Sequence, residues 1–453
     1  MKIKIAGAGA GKTTTIAENI IELRNTIEGN KKVFCLAFTN NAVECIGNKL
    51  QEFYGTIPNN IIVSTIHSFL YQEVIKPFYY LLYDKQYQQI AVGNLPDNNI
   101  YKNKIIKELE ENNILHQTKI PERAKWIMVG KSKDTKEIKS KRNIIKNTLK
   151  KYCGAICIDE AQDIDDNISK IIESLNSLEI PLILMGDPKQ DLRGYNSFKE
   201  LLSHHCENVY NINICHRCPQ NHLDLSNSIV IEPEKQYSEK KYGNLFVCFE
   251  SDKKIKDLLL EKKYDLKYIS QRQKNYETHS QGNTNIIESI YEEIFIIMKK
   301  KYSSREQLDI AKYSYFLVHR LLKKYEIDLN KKNALANLAD VIGFRLKTDE
   351  YNRLKNLLPD RESKNTEEKI IISSIDSIKG QEGKNCLFVL TTDLASYLLG
   401  TKTDDNKYKN RLYVALTRSL DELTIYITLD VENKFGKSFI EDFFRKYSFS
   451  KII

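Results

Sequence analysis

The first fourteen residues, Met1-Lys2-Ile3-Lys4-Ile5-Ala6-Gly7-Ala8-Gly9-Ala10-Gly11-Lys12-Thr13-Thr14, constrain the chain most. A short apolar strand runs straight into a loop of alternating Ala and Gly, and the loop into a helix. Small residues let successive backbone N–H groups crowd around an anion, and the helix aims the positive end of its dipole at the same point. Ala6, Gly7, Ala8, Gly9, Ala10, Gly11, Lys12, Thr13 and Thr14 are therefore expected to cradle a nucleoside triphosphate, ATP in the first instance. Lys12 suits the β- and γ-phosphates, and the Thr13 hydroxyl suits a magnesium ion. The strict pattern starts with Gly where this chain has Ala6. A ligand-free turn of small residues is the bland alternative, and the Gly-Lys-Thr ending argues against it.

Two later segments supply what a phosphate loop lacks. Lys151-Tyr152-Cys153-Gly154-Ala155-Ile156-Cys157-Ile158-Asp159-Glu160-Ala161-Gln162-Asp163 is an apolar strand that ends in acids. A carboxylate at a strand tip can hold magnesium, which suits Asp159, and a neighbouring carboxylate can activate water, which suits Glu160. The alternative is an acidic helix start. Pro181 to Gln190 is another buried-type strand entering a Gly-Asp turn, and the Gln190 amide is a candidate γ-phosphate sensor.

Further along lie Cys215-His216-Arg217-Cys218-Pro219, then Ser374-Ile375-Asp376-Ser377-Ile378-Lys379-Gly380-Gln381-Glu382, then Arg411-Leu412-Tyr413-Val414-Ala415-Leu416-Thr417-Arg418. In this order the series resembles the motifs of superfamily 1 helicases of the UvrD/Rep/PcrA kind. The resemblance implies an α/β protein with two RecA-like parallel-sheet P-loop domains, helical insertions, and ATP with Mg2+ at their interface. It implies that Arg217 and Arg418 reach the γ-phosphate, where cationic charge stabilises the transition state. It further implies that Glu382 contacts the ribose and that His216 stands where a Tyr stacks on adenine. The family's adenine-reading glutamine upstream of the loop has no counterpart before Ala6, so relaxed nucleotide choice is expected.

Phe38-Thr39-Asn40-Asn41-Ala42 and Thr65-Ile66-His67-Ser68-Phe69 resemble the family segments that hold single-stranded DNA. Rings stack on any base, and hydroxyls or amides bind any phosphate, so a mixture of the two suits sequence-independent tracking. Phe38, Thr39, Asn40, Thr65 and His67 are the candidates, with Tyr195 as a further ring; core packing is the alternative for Phe69 and Phe198. The net charge of +9 in 453 residues tilts toward an anionic partner. The basic run from Arg123 to Lys151 is either a nucleic-acid groove or a solvated helix face.

Apolar runs near Ile3, Val33 to Ala37, Ile61 to Ser64, Ala155 to Ile158 and Leu182 to Met185 describe one parallel sheet with ligands at its strand ends. A second would use Val209 to Ile212, Leu245 to Phe249, Leu266 to Ser270, Ile370 to Ser373, Leu387 to Leu390 and Leu423 to Ile427. The domains expected are 1–69 with 146–205 (first RecA-like), 70–145 (helical insertion), 206–272 with 369–453 (second RecA-like) and 273–368 (reduced helical insertion). Helical spacing runs through Ile286, Ile287, Ile290, Ile294 and Ile297, and through Tyr315, Leu317, Val318, Leu321 and Leu322.

The nine cysteines, several in buried-type strands, suit free thiols in a reducing compartment. His204, His205, Cys206, Cys215, His216, Cys218 and His222 offer soft ligands, but Arg217 between two of the cysteines argues against zinc. No apolar run reaches membrane-spanning length and no signal core follows the start, so a cytoplasmic protein with no membrane role is expected. The resemblance implies translocation on single-stranded or duplex DNA, in the 3′ to 5′ direction. An ATPase subunit that senses DNA and regulates a separate nuclease, as in compact antiphage systems such as Gabija, is the alternative. A nucleotide kinase would leave Phe38 and Arg418 unexplained, and no residue excludes RNA.

Overall fold

The computed structural model describes residues 1–27, 29–96, 98–270, 276–277, 286–302, 305–359, 370–447 and 449–452. The chain divides into two units, one of Met1–Leu82, Pro121–His279 and Lys369–Ile453, the other of Tyr83–Ile120 and Ser280–Glu368.

The first unit holds two six-stranded sheets, whose main strands are parallel throughout. One uses β1 (Lys2–Ala6), β2 (Lys32–Ala37), β3 (Ile61–Thr65), β4 (Cys153–Ile158), β5 (Leu182–Gly186) and β6 (Val209–Ile212), in the order β3-β2-β4-β5-β1-β6. Its central strands are continuous apolar runs because helices cover both faces. Cys35, Ala155, Ile156 and Cys157 are wholly buried. Helix α1 (Lys12–Thr26) starts at Gly11, and α2 (Asn40–Tyr54) is capped by Thr39, whose side chain accepts the Ala42 N–H.

The other sheet uses β7 (Asn244–Phe249), β8 (Leu266–Ile269), β9 (Ser373–Ser374), β10 (Gly383–Leu390), β11 (Ser419–Ile427) and β12 (Ser450–Ile452), in the order β9-β8-β10-β11-β7-β12. Leu245, Val247, Phe249, Phe388, Leu390, Ile425 and Ile427 build its core. The two expected parallel sheets are both present. One strand was assigned to the wrong sheet: Val209–Ile212 does not join the second but closes an edge of the first, pairing Ile3 with Val209 and Ala6 with Ile212. Only Ser373–Ser374 of the expected strand from Ile370 joins the second sheet, whereas Ile370–Ile371 pairs with Tyr276–Glu277 in a separate ribbon.

The second unit is mainly helical: α3 (Ile286–Lys301), α4 (Gln307–Asp328), α5 (Lys331–Ile342) and α6 (Thr348–Leu357). Ile290, Ile294, Ile297, Leu317, Val318 and Leu321 form its core together with Leu109 and Ile114 from the earlier segment. Ile287 and Tyr315, read into the same apolar spacing, point outward instead. Of residues 70–145, only Tyr83–Ile120 groups with these helices. Both ends of the 273–368 segment lie outside the described residues. Among the described residues no helix is long and apolar enough to cross a membrane.

Candidate nucleotide and nucleic-acid site

The candidate residues of the first sheet collect where its strands end. Gly9 and Gly11 hold φ of +67° and +71°, the left-handed region that glycine enters without strain. A side chain at Gly9 would also overlap Cβ of Arg217. Lys12 curls back over the loop, its Nζ donating to the Ala6 and Gly7 carbonyls at 3.4 and 3.3 Å.

Asp159 and Glu160 leave the tip of β4, two strands from β1 in the sheet. Glu160 has φ +53°, uncommon for a non-glycine residue and a form of strain that concentrates at functional sites. Its N–H donates to Asp159 Oδ1 at 2.8 Å. Burial and then the Glu160 charge push the Asp159 carboxyl well above the usual range. Burial also acts to raise Glu160, but Lys12, Lys379 and a hydrogen bond from Gln162 outweigh it and hold that carboxyl low. The two neighbouring carboxyls are thus pushed in opposite directions.

Gln162 was missed as an individual residue. Its Nε2 donates to Glu160 and its Oε1 accepts the Asp187 N–H at 2.9 Å. Gln190, the expected γ-phosphate sensor, donates from Nε2 to Asp187 Oδ2 at 2.9 Å. A chain of polar groups therefore runs from half-buried Glu160 through buried Gln162, Asp187 and Gln190. Lys12 and Lys189 hold the Asp187 carboxyl low against its burial. The signal lay in the Asp-Glu-Ala-Gln-Asp and Gly-Asp-Pro-Lys-Gln segments, which mark the carboxylates but not what their amides would bond.

Residues beyond the first sheet close on the same loop. The His216 N–H donates to the Gly9 carbonyl at 2.9 Å, and the His216 ring faces Gly11. Arg217 donates from Nε to Glu382 at 2.7 Å and from Nη1 to the Thr417 carbonyl at 3.4 Å. Arg217 and Glu382, expected on the γ-phosphate and the ribose, are here each other's partners. Arg418 is 1% exposed and donates to the carbonyls of Val414 and Gln381 and to the Thr417 hydroxyl. Burial, then the charge of Arg217, pulls its guanidinium down to about 10. Lys379 pairs with Asp163 at 2.7 and 2.8 Å, a link between the motifs of the two sheets that no local pattern encodes.

Phe38, Thr39, Asn40, Thr65 and His67 follow β2 and β3, where Ala37 pairs with Thr65. These candidates are therefore neighbours on the far half of the same sheet edge. Both threonines cap helices: Thr39 as above, and Thr65 by accepting the Ser68 N–H at 3.1 Å. Thr39 and Asn40 are exposed, and Phe38 is partly so. Tyr195 is 43% exposed, with Arg193 donating to its hydroxyl at 3.4 Å. Burial lowers the His67 pKa, opposed by Asp165. Phe69 packs edge-on against Phe34 with centroids 4.9 Å apart, and Phe198 is 2% exposed, so both are core residues.

Residues 1–195 match the profile of an AAA domain. Gabija protein GajB of Bacillus cereus (strain VD045) is 26% identical over 264 residues, covering 56% of this chain and 52% of that protein. The chain thus spans about half the length of this curated relative. Among solved structures, an arterivirus nonstructural protein 10 helicase in complex with DNA aligns at TM-score 0.37 and 11% identity, over 95% of this chain and 62% of that one. A likeness that low bears no weight here, and the two sheets stand on their own strand pairings. Among the described residues no group of three or more His, Cys, Asp and Glu side chains is placed to hold a metal ion.

Proposed function

We propose that the chain is an ATP-hydrolysing motor that moves along single-stranded DNA. What supports this reading is that Lys12 folds back onto the Ala6–Thr14 loop, its charge acts on Glu160, and Arg217, from a later motif, packs against Gly9 of the same loop. The residues fit a magnesium triphosphate: buried Asp159 and Asp187 and half-buried Glu160 put carboxylates within reach of the Lys12 charge, and Asp159 with Thr13 would offer a carboxylate and a hydroxyl to the ion. When bound, the ion neutralises charge on the phosphoryl oxygens. Glu160 takes the proton of the attacking water, Gln190 orients it, and Arg217 and Arg418 supply cationic charge once released from their present partners. His216 covers the base and Glu382 the ribose. Phe38, Thr39, Asn40, Thr65, His67 and Tyr195 hold the strand by stacking and phosphate contacts. Movement in the 3′ to 5′ direction follows the resemblance.

A second reading is favoured by the likeness to a Gabija protein: a DNA-sensing ATPase subunit in antiphage defence that regulates a separate nuclease and unwinds little. Strand displacement on duplexes with 3′ or 5′ tails separates the two. ATP-dependent unwinding from a 3′ tail alone supports the motor; DNA-stimulated hydrolysis without unwinding from either tail supports the sensor. An absence of hydrolysis with any DNA contradicts both.

A further inference from the structure

Three buried polar groups beside the phosphate loop have no task in this scheme: the Ala8 peptide, Gln236 and Tyr413. They are 1%, 3% and 2% exposed. The Ala8 N–H donates to the Tyr413 hydroxyl at 3.1 Å, that hydroxyl donates to Gln236 Oε1 at 2.7 Å, and Gln236 Nε2 donates to the Ala8 carbonyl at 3.0 Å. The three bonds close a ring in which each of the three groups donates once and accepts once.

The ring joins parts of the chain that are far apart in sequence. Tyr413 lies on α7 (Lys407–Leu416), which leads into β11 of the second sheet. Gln236 lies between the two sheets and is held by Asn227: its N–H donates to Asn227 Oδ1 at 3.0 Å, and its carbonyl accepts from Asn227 Nδ2 at 2.7 Å. Lys189, from the turn after β5, sits 5.2 Å from the centre of the Tyr413 ring. Gly7 is bare for the same reason, because any side chain there would overlap the Gln236 carboxamide. A peptide in a loop of small residues has little to pack against, so its orientation is set by hydrogen bonds.

We infer that Gln236 and Tyr413 are positioning residues for the triphosphate, which fix the Ala8 peptide and thereby shape the phosphate loop before ligand arrives. The inference rests on the nucleotide reading. Without the ring the loop must be ordered at the moment of binding, and that cost falls on affinity. With it, the shape of the loop depends on the second sheet being seated.

The test is hydrogen exchange of the Ala8 amide in ligand-free protein, followed by ATP saturation curves, for the wild type, Tyr413→Phe, Gln236→Met and the double variant. Tyr413→Phe deletes one oxygen, and Gln236→Met keeps side-chain length if the first variant folds poorly. Exchange at Ala8 is expected to quicken about tenfold or more in Tyr413→Phe. The half-saturating ATP concentration is expected to rise about tenfold in either single variant and no further in the double, with turnover at saturation within about twofold. Unchanged Ala8 exchange, or a fall in turnover with unchanged half-saturation, would overturn the inference. A wild type that neither binds nor hydrolyses ATP would instead sink the nucleotide reading and the ring's role with it, a case told apart because the exchange measurement needs no nucleotide.

Discussion

Lys12 and Glu160 face the same small space but do different work, so their removal should leave different residues of function. In the proposed scheme Lys12 brings charge to the phosphates, whereas Glu160 acts on water. Lys12→Ala is expected to lose nucleotide binding and hydrolysis together, while Glu160→Gln loses hydrolysis and still traps ATP; single-turnover and equilibrium binding measurements separate the two. Hydrolysis by Glu160→Gln at the wild-type rate would remove it as the base. Arg217→Ala should lower turnover by about a thousandfold or more, the usual cost of a missing cation at the transferred phosphoryl group. A change within twofold would show that its bond to Glu382 is its whole role. His222, wholly buried, sets a pH limit on the fold. Its Nε2 donates to the Asn244 carbonyl at 3.2 Å, and Nδ1 has no hydrogen-bond partner among the described residues. Burial pulls its pKa from 6.5 to about 4, so the folded chain resists a proton that the unfolded chain accepts. Stability is then complete above about pH 6.5 and falls between there and pH 4, by about 3 kcal/mol at most. His222→Gln should flatten that slope in denaturant titrations, and an unchanged slope would assign acid sensitivity to other groups.

Among the elements, α2 and the short helix after β3 carry two duties at their first residues. Thr39→Ala should cost about 1 kcal/mol of stability through the lost cap, which Thr39→Ser would restore. Phe38 is only partly exposed, and its removal should weaken the stimulation by single-stranded DNA by about 1–3 kcal/mol, the worth of one stacked base, with basal hydrolysis unchanged. Equal falls in both rates would make Phe38 a packing residue. Elements of this kind were legible in the sequence to different degrees. Strands β2, β4 and β5 stood out because burial on both faces leaves no polar alternation to confuse them. Strand β6 was read at its observed bounds but in the other sheet, because pattern says nothing about which sheet an edge strand joins. Helical spacing in α3 and α4 marked most of the buried face, Ile287 and Tyr315 excepted, but not that Leu109 and Ile114 would share the core. The loop, Asp159 and Glu160 were readable because phosphate and magnesium chemistry demands those residue types in one short stretch. The Ala8–Gln236–Tyr413 ring and the Lys379–Asp163 pair were not, since each joins residues more than two hundred positions apart.

At the scale of the whole molecule, the first sheet places the candidate phosphate-handling residues on β1, β4 and β5 and the candidate strand contacts on β2 and β3, along one edge. Arg217, Arg418, Glu382 and Tyr413 come from the motifs beyond it, so a change that seats the second sheet more tightly bears on hydrolysis directly. In the proposed motor, binding of a polynucleotide at one half of that edge should then be coupled to turnover at the other. Since phosphate contacts release counterions, the coupling should weaken steeply as salt rises, more than stacking alone would give. The most direct measurement is the ATP hydrolysis rate of the intact chain with and without single-stranded DNA across a salt series. A low basal rate that rises with DNA, loses that rise at high salt and vanishes in Lys12→Ala is the expected result. A rate indifferent to DNA at every salt concentration would contradict a nucleic-acid-coupled motor.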